Sequence, residues 1–210
     1  MKSVEQLIAG FRRFREQHFQ NHDNLYQRLV ERGQKPRILV VACCDSRVDP
    51  ALVFDCDPGD LFVIRNVANM VPPLEDRSGH HGTTAAIEYG VSVLGVKHII
   101  VLGHAHCGGI NALVRAGGVC GQGSYIDDWM CLAESARTGV MEEMPQASPE
   151  EKERACEQRS ILVSLDNLKT FPWVSERVAS GLLTLHGWYF DIEGGQLLRY
   201  DAATGDFVAI

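Results

Sequence analysis

The sequence predicts an α/β protein with a mainly parallel β-sheet flanked by helices, a helical arm at the N-terminus and a β-hairpin at the C-terminus. Three short runs, 37–43, 61–65 and 98–103, are almost entirely apolar and rich in β-branched residues. Such runs are typical of central parallel strands that are buried on both faces. A helical pattern over about residues 82–94 separates the last two runs. Strand, crossover helix and strand in this order indicate a parallel sheet.

The N-terminal segment predicts two helices. Apolar residues recur at three- and four-residue steps over 3–20, which indicates an amphipathic helix. These residues are Val4, Leu7, Ile8, Phe11 and Phe14. A second helix is expected over 23–32, with Gly33 ending it. Two interpretations of the apolar face stay open: it packs on the chain's own core, or it reaches over a partner subunit.

The segment after the third apolar run predicts three more helices and the hairpin. The helices are expected over 110–116, 124–138 and 149–171, and the last begins with a serine N-cap, a first-turn proline and a capping-box glutamate. The final stretch alternates apolar and polar residues and turns at Gly194 and Gly195, which predicts a β-hairpin. No repeat or linker interrupts the pattern, so we expect one domain over 1–210 that includes the arm over 1–33.

Composition limits the classes of partner. The chain of 210 residues has a net charge of −7 and no basic run that could follow a phosphate backbone, so nucleic acid is not an expected partner. No run of 18 apolar residues occurs, so a membrane is not expected either, and the predicted location is the cytoplasm.

The seven cysteines favour reduced thiols over a disulfide framework. Their number is odd and most of them lie inside apolar segments. No C-x-x-C pair is present, so a metal site would have to be assembled from distant parts of the chain.

Chemically reactive residues follow two of the predicted strands. The first strand ends in "ACCDSR" and the third in "GHAHCGG". Ligands gather at the carboxyl ends of strands in an open parallel sheet. A cysteine from the first end, together with His104 and Cys107 from the other, supplies the sulfur and imidazole donors that zinc takes tetrahedrally. His106 is the less suitable imidazole, because it is adjacent to Cys107 and would crowd it.

Alternation along the chain predicts which cysteine of the first pair is the ligand. If the chain stays extended beyond the strand, Cys43, Asp45 and Arg47 share one face, and Cys44 and Ser46 share the other. Cys43 is then the ligand and Cys44 the residue that packs.

These motifs resemble the signature of the β-class carbonic anhydrases. The resemblance is carried by "C-x-D-S-R" over 43–47 and "H-x-x-C-G-G" over 104–109. It extends through "PGDLFVIRNVANMVPP", "GTTAAIEYGVSVLGVKHIIVLGH" and "LHGWYFDI", and so covers most of residues 30–115 and part of the C-terminal region.

The resemblance implies a zinc enzyme that reversibly hydrates carbon dioxide to bicarbonate. By this resemblance Cys43, His104 and Cys107 bind one zinc per chain, zinc-bound hydroxide is the nucleophile, and Asp45 and Arg47 form a catalytic dyad. Arg47 is expected to hold Asp45 off the metal, whereas in a closed state Asp45 becomes the fourth ligand. Because two thiolates cancel the zinc charge, activity is expected to favour alkaline conditions.

The resemblance also assigns the substrate pocket. The Gln34 amide and the Gly108 backbone N–H are expected to contact substrate oxygens, and Phe62, Val67 and Tyr89 to surround carbon dioxide. The family supplies some of these residues across a dimer interface, which implies a homodimer or a dimer of dimers.

Two positions indicate the plant-like type without a regulatory bicarbonate pocket. Family members with that pocket carry a tryptophan and a tyrosine where this chain has Val40 and Phe190, although Arg65 is kept.

Two other functions stay open. One is hydrolysis of carbon disulfide or carbonyl sulfide on the same scaffold. The other is a structural zinc module with Asp45 as a permanent fourth ligand, which Arg47 argues against, because a structural site has no use for a group that draws a ligand away.

Overall fold

A computed structural model describes most of the chain as two compact units. The described residues are 2–20, 25–74, 80–117, 120 and 123–210. The first unit is Met1–Lys35 and the second is Pro36–Ile210.

The first unit consists of the two predicted helices. Helix α1 spans Val4–Arg15 and continues as a π-helical turn over Glu16–Gln20, and helix α2 spans Leu25–Arg32. The Ser3 side chain accepts a hydrogen bond from the third helical residue and so caps α1. Gly33 follows α2 with φ of 68°, the left-handed conformation that ends a helix, as predicted. The first two residues of the predicted second helix lie outside the described residues.

The aromatic side chains of the first unit pack on one another. Phe14 contacts Phe11, His18 and Phe19 from its own segment and Tyr26 from α2. The apolar face of α1 nevertheless stays exposed, by 49% to 68% of each side chain. The exposed residues are Val4, Leu7, Ile8 and Phe11. These four side chains are exposed in the described structure, and both interpretations of the apolar face stay open.

The second unit is built on one six-stranded sheet in the order β2-β1-β3-β4-β5-β6. The strands are β1 Ile38–Cys43, β2 Leu61–Asn66, β3 His98–His104, β4 Thr184–Asp191, β5 Gln196–Asp201 and β6 Asp206–Ala209. Strands β1 to β4 run parallel, and β5 and β6 are antiparallel additions. The three predicted strands and the parallel core are confirmed.

The C-terminal hairpin is confirmed, but it is part of a larger unit. Its first strand, β4, pairs in parallel with β3 and so joins the core, and β6 adds a third strand beside β5. Alternation in the sequence showed a strand, but the pairing of β4 with a strand some 80 residues earlier is a property of the folded chain.

The described residues of the second unit form seven α-helices. They are α3 Pro50–Val53, α4 Gly82–Glu88, α5 Gly108–Arg115, α6 Tyr125–Met130, α7 Glu134–Glu143, α8 Pro149–Lys169 and α9 Pro172–Ala179. The predicted helix over 82–94 is confirmed, with its second half wound as a π-helix over Tyr89–Val93. The predicted helix over 124–138 is two helices, because a 3₁₀ turn over Cys131–Ala133 separates α6 from α7. The predicted capping box opens α8, and Pro172 begins the unforeseen α9.

Helix α8 packs on one face of the parallel strands and closes the main core. Ile161 and Leu168 of α8 join Leu39, Val41 and Ile99 in a cluster of fully buried side chains. Gly103 of β3 permits this approach, because a Cβ atom there would lie 2.7 Å from the Ile161 Cδ1 atom. A second buried cluster contains Cys43 and Cys107, so both predicted sulfur ligands lie in apolar surroundings.

One cysteine pair departs from the expectation of reduced thiols. Cys120 and Cys131 form a disulfide across 11 residues of sequence. The remaining cysteines are free thiols: Cys43, Cys44, Cys56, Cys107 and Cys156. The expectation fails for the pair because Cys120 lies beside Cys131 at the C-terminal end of α6, a proximity that cysteine spacing does not reveal.

No helix in the described parts of the chain is long and apolar enough to cross a membrane.

The disulfide is expected to stabilise the second unit. Closing a loop of this length restricts the unfolded chain and contributes about 2–3 kcal/mol. Cys120→Ser should therefore lower the melting temperature of the oxidised protein by roughly 5–10 °C. Thermal unfolding with and without dithiothreitol measures this, with Cys56→Ser, a substitution of a free thiol, as the control. Equal melting temperatures for oxidised wild-type and Cys120→Ser protein would contradict a stabilising disulfide.

Candidate metal centre

The three predicted metal ligands come together at the carboxyl edge of the sheet. Cys43 ends β1, His104 ends the neighbouring parallel strand β3, and Cys107 is the N-cap of α5. His106 adopts φ of 57° between them, a tight reversal that returns the chain so that Cys107 faces His104. The side chain of His106 itself is exposed and approaches Glu193 at 3.3 Å.

The geometry of the three side chains fits a zinc ion. Their donor atoms all lie within 4.8 Å of one another, and the two Sγ atoms are 4.0 Å apart. Two sulfurs bonded to tetrahedral zinc at about 2.3 Å lie about 3.8 Å apart, which is close to this separation. The His104 Nδ1 atom lies 2.9 Å from the Ala105 carbonyl, while its Nε2 atom is buried without a hydrogen-bond partner. A carbonyl that accepts from Nδ1–H leaves Nε2 as the ligand atom, as metal-binding histidines require.

The electrostatics of the two thiols also favour a cation. The hydrogen bond from Cys107 lowers the pKa of Cys43, and the neighbouring Cys43 thiolate together with burial raises the pKa of Cys107. Of the two buried thiols, Cys43 is therefore the one that ionises more readily. Burial lowers the pKa of His104, but the negative charge of the neighbouring Cys43 thiolate outweighs this effect and raises the pKa. A divalent ion can replace these protons and compensate both thiolates.

Asp45 and Arg47 form the bidentate pair that the sequence predicts. Arg47 Nε donates to Asp45 Oδ1 at 3.0 Å, and its second nitrogen donates to Oδ2 at 2.7 Å. The same arginine donates to the His106 carbonyl at 3.0 Å, which ties the pair to the turn before Cys107. The hydrogen bonds from Arg47 hold the pKa of Asp45 far below its usual value, so Asp45 stays ionised through the neutral and mildly acidic range.

The backbone beyond Cys43 is a turn and not an extended strand. The Val48 N–H donates to the Asp45 carbonyl at 3.2 Å, and the Arg47 N–H donates to the Asp45 side chain at 2.9 Å. The alternation that was expected through Arg47 therefore ends at the strand. The prediction that Cys44 packs is wrong, because its side chain is exposed. Cys43, in contrast, is buried, and its role as a ligand stays a prediction.

Arg65 supports this turn from the next strand, a role that was not predicted from the sequence. Its guanidinium donates to the Cys43 carbonyl at 3.0 Å, to the Asp45 carbonyl at 2.7 Å and to the Asp49 carboxylate at 2.7 Å. Arg65 therefore positions the backbone of both Cys43 and Asp45. The signal for it is an arginine within an otherwise apolar strand.

Glu157 supports Cys107 from α8, and it too was not predicted. Its carboxylate accepts from the Cys107 N–H at 2.9 Å and from the Tyr189 hydroxyl at 2.8 Å, and only 3% of the residue is exposed. Burial raises the pKa of Glu157, although both hydrogen bonds oppose this effect. A glutamate among the buried positions of a core helix is the available sequence signal.

Two of the predicted substrate residues lie beside the ligands. Gly108 is the first residue of α5, where backbone N–H groups have no partner within the helix, and a Cβ atom there would meet nothing within 4 Å. Val67 follows β2, and its carbonyl accepts from Trp129 Nε1 at 2.8 Å. Gly109 allows close contact, because a Cβ atom there would lie 2.9 Å from Val67 Cγ1.

Within the second unit, the structure does not bring the predicted substrate residues Phe62 and Tyr89 to this centre. Phe62 and Tyr89 contact each other at 6.0 Å between ring centroids. Phe62 lies five residues before Val67 along the strand, or about 16 Å. Gln34 belongs to the first unit and is exposed. The substrate roles of all three stay predictions.

The two positions linked to a regulatory pocket are apolar and packed together. Val40 is fully buried and Phe190 packs against its cluster. The guanidinium of Arg65 already donates hydrogen bonds to two backbone carbonyls and to the Asp49 carboxylate.

The fold and the site define the class: a parallel α/β protein whose sheet edge carries two cysteines and one histidine in an arrangement suited to zinc. The family model described as carbonic anhydrase matches residues 38–197. A carbonic anhydrase of Synechocystis sp. is 39% identical over 206 residues, covering 98% of this chain and 74% of the relative. Beta carbonic anhydrase 3 of Arabidopsis thaliana is 34% identical over 197 residues, covering 93% and 76%.

Solved structures agree with these relatives. The β-carbonic anhydrase CcaA has a TM-score of 0.90 at 39% identity, covering 99% of this chain and 92% of the other. A tetrameric β-carbonic anhydrase of Sordaria macrospora has a TM-score of 0.82 at 30% identity, covering 98% of each chain. The chain belongs to the β-class carbonic anhydrases. It is a carbonic anhydrase, an enzyme of the class that hydrates carbon dioxide.

Removing the Glu157 carboxylate is expected to weaken both the fold and the metal centre. Glu157→Ala leaves the Cys107 N–H and the Tyr189 hydroxyl buried without an acceptor, which should cost about 2–4 kcal/mol of unfolding free energy. Denaturant unfolding and zinc content after dialysis against a chelator measure the two effects. Glu157→Gln, which keeps one acceptor oxygen, should lose less. An alanine variant with unchanged stability and zinc retention would contradict this support.

Proposed function

We propose that the chain hydrates carbon dioxide at a zinc centre formed by Cys43, His104 and Cys107, with one zinc per chain. The observation that carries this proposal is the convergence of two sulfurs and an unpartnered imidazole nitrogen within 4.8 Å. Zinc in a site with three protein ligands and one open position lowers the pKa of water, so that hydroxide is available near neutral pH.

Asp45 acts in this proposal as the acceptor that orients the nucleophile. Arg47 donates three hydrogen bonds to the carboxylate, two to Oδ1 and one to Oδ2, so Oδ2 keeps a lone pair that can accept a further hydrogen bond at the open position. Arg47 in turn keeps the carboxylate away from the metal, and its bond to the His106 carbonyl fixes the direction from which it does so. Loss of this pair would free Asp45 to become a fourth ligand and close the site.

The substrate is placed by the remaining residues. The Gly108 N–H at the start of α5 and the Gln34 amide donate to substrate oxygens, and Val67 supplies an apolar wall. Carbon dioxide is uncharged and has no hydrogen to donate, so an apolar pocket with two donors suits it.

Replacing Asp45 tests the dyad. Asp45→Asn should bind one zinc per chain but lose hydration activity by about 100-fold or more, because a neutral amide does not accept as strongly and no longer pairs with Arg47. Stopped-flow hydration with zinc content on the same sample measures this. Asp166→Asn removes an exposed carboxylate that pairs with Lys169, and it should leave activity unchanged. Wild-type turnover in Asp45→Asn would overturn the assigned role.

The two alternative functions make different predictions in the same experiment. A structural zinc module would bind zinc without hydrating carbon dioxide at any pH. The ion pair between Asp45 and Arg47 argues against this function, because it draws the carboxylate away from the metal. A carbon disulfide or carbonyl sulfide hydrolase would turn over those compounds faster than carbon dioxide. We expect hydration that follows zinc content and rises from neutral to alkaline pH.

We propose further that the active unit is a homodimer or a dimer of dimers in which a second copy supplies Phe62 and Tyr89. Tyr89 is 44% exposed in one chain and Phe62 is half-buried, so both are available to a neighbour. The Sordaria relative is tetrameric, which supports assembly. A cytoplasmic location is also proposed: five of the seven cysteines are free thiols, Cys43 and Cys107 among them, whereas the Cys120–Cys131 disulfide is a bond more common in oxidising compartments.

Mixing two variants that are each impaired in activity tests this assembly. In a mixed dimer of Tyr89→Ala and Asp45→Asn chains, the centre of the Tyr89→Ala chain would receive an intact Tyr89 from its partner. Random mixing of equal amounts should restore about one quarter of wild-type activity. Tyr89→Ala alone should have a lower kcat/KM. Mixed samples no more active than the two variants measured separately would contradict a shared site.

A further inference from the structure

Two histidines lie together at the edge of the sheet opposite the candidate zinc centre. His98 begins β3 and His186 lies near the start of β4, on neighbouring parallel strands. His104 ends the same strand as His98, six residues on, so the pair is about 20 Å from the candidate zinc centre. Carbon dioxide hydration therefore does not account for it.

The two imidazoles face each other through nitrogen atoms. His98 Nδ1 and His186 Nε2 are 3.3 Å apart, with ring centroids at 5.3 Å and an angle of 52° between the planes. This separation is at the long end of hydrogen bonds between nitrogen donors and acceptors. Two nitrogens that bind one tetrahedral ion at about 2.0–2.1 Å lie about 3.3–3.4 Å apart, which matches the observed distance.

The surroundings keep the pair in a ligand-competent state. Both histidines are half-buried, so an ion can reach them from solvent. Burial lowers the pKa of His186, and the adjacent His98 lowers it further, which favours the neutral ring that a metal requires. The indole of Trp188 lies beside His186 at 6.1 Å between ring centroids and is packed against Phe54. These aromatic neighbours restrict where His186 can point.

We propose that His98 and His186 form a second metal site that binds a divalent transition-metal ion of the class that prefers imidazole, such as Zn²⁺, Ni²⁺ or Cu²⁺. Water completes the coordination, because the pair supplies two ligands. The site is weaker than a centre with three protein ligands, so its ion exchanges with solution. Because the two ligands belong to different strands and meet only in the folded chain, the ion stabilises the pairing of β3 with β4.

Copper added to the zinc-loaded enzyme tests the site directly. One further Cu²⁺ per chain should bind, and electron paramagnetic resonance with echo modulation should show two imidazole nitrogens. The melting temperature should rise with Cu²⁺ or Ni²⁺, while zinc content stays constant.

His98→Asn and His186→Gln keep hydrogen-bonding groups but lack the imidazole, and each should weaken copper binding by about tenfold or more and remove the two-nitrogen signal. His80→Asn, which removes an exposed imidazole elsewhere, is the matched control and should bind copper as wild-type does.

The results separate this site from the catalytic centre. A wild-type enzyme that binds no further copper, or binds it without two imidazoles, overturns the proposal without use of any variant. Equal copper affinity in His186→Gln and His80→Asn overturns it as well. Carbon dioxide hydration is measured on the same samples, and its presence or absence bears on the zinc centre alone.

Discussion

Parallel pairing of β1 with β3 is the constraint on which the functional part of the molecule depends. Because the two strands run in the same direction as neighbours, Cys43 and His104 end at the same edge of the sheet. The turn at His106 then returns Cys107 to the same place. A register shift of one residue would turn His104 to the other face and leave two buried thiols without their imidazole.

The ligands are held by backbone contacts as much as by their own side chains. Arg65 fixes the carbonyls of Cys43 and Asp45 from β2, and Glu157 fixes the Cys107 N–H from α8. Both supporting groups are ionisable side chains, and hydrogen bonds hold each of them in place, three for Arg65 and two for Glu157. Such an arrangement limits the movement of the sulfur atoms, and a metal centre with two thiolates needs that rigidity to keep its fourth position open.

Prediction from the sequence succeeded where the signal is local. The apolar runs gave strands β1 to β3 within one or two residues, because burial on both faces requires an unbroken apolar run. The capping box located the start of α8 for a similarly local reason. Prediction failed where the outcome depends on distant partners: Cys44 was expected to pack, and Cys120 was expected to be a free thiol. Arg65 and Glu157 were not recognised, because their role depends on carbonyl and amide groups far away in the sequence.

The sequence by itself determined the chemistry of this protein: the donor types at two strand ends, the acid and the base that follow Cys43, and the parallel α/β architecture. These are properties of residue type and short-range pattern, so they can be inferred from the sequence alone. The tertiary structure alone decided that β4 joins the core, that Arg65 of β2 supports the turn at Asp45, and that His98 faces His186. Each of these depends on distances between segments separated by loops or whole elements, and hydrogen bonding, coordination and burial all change steeply over an ångström.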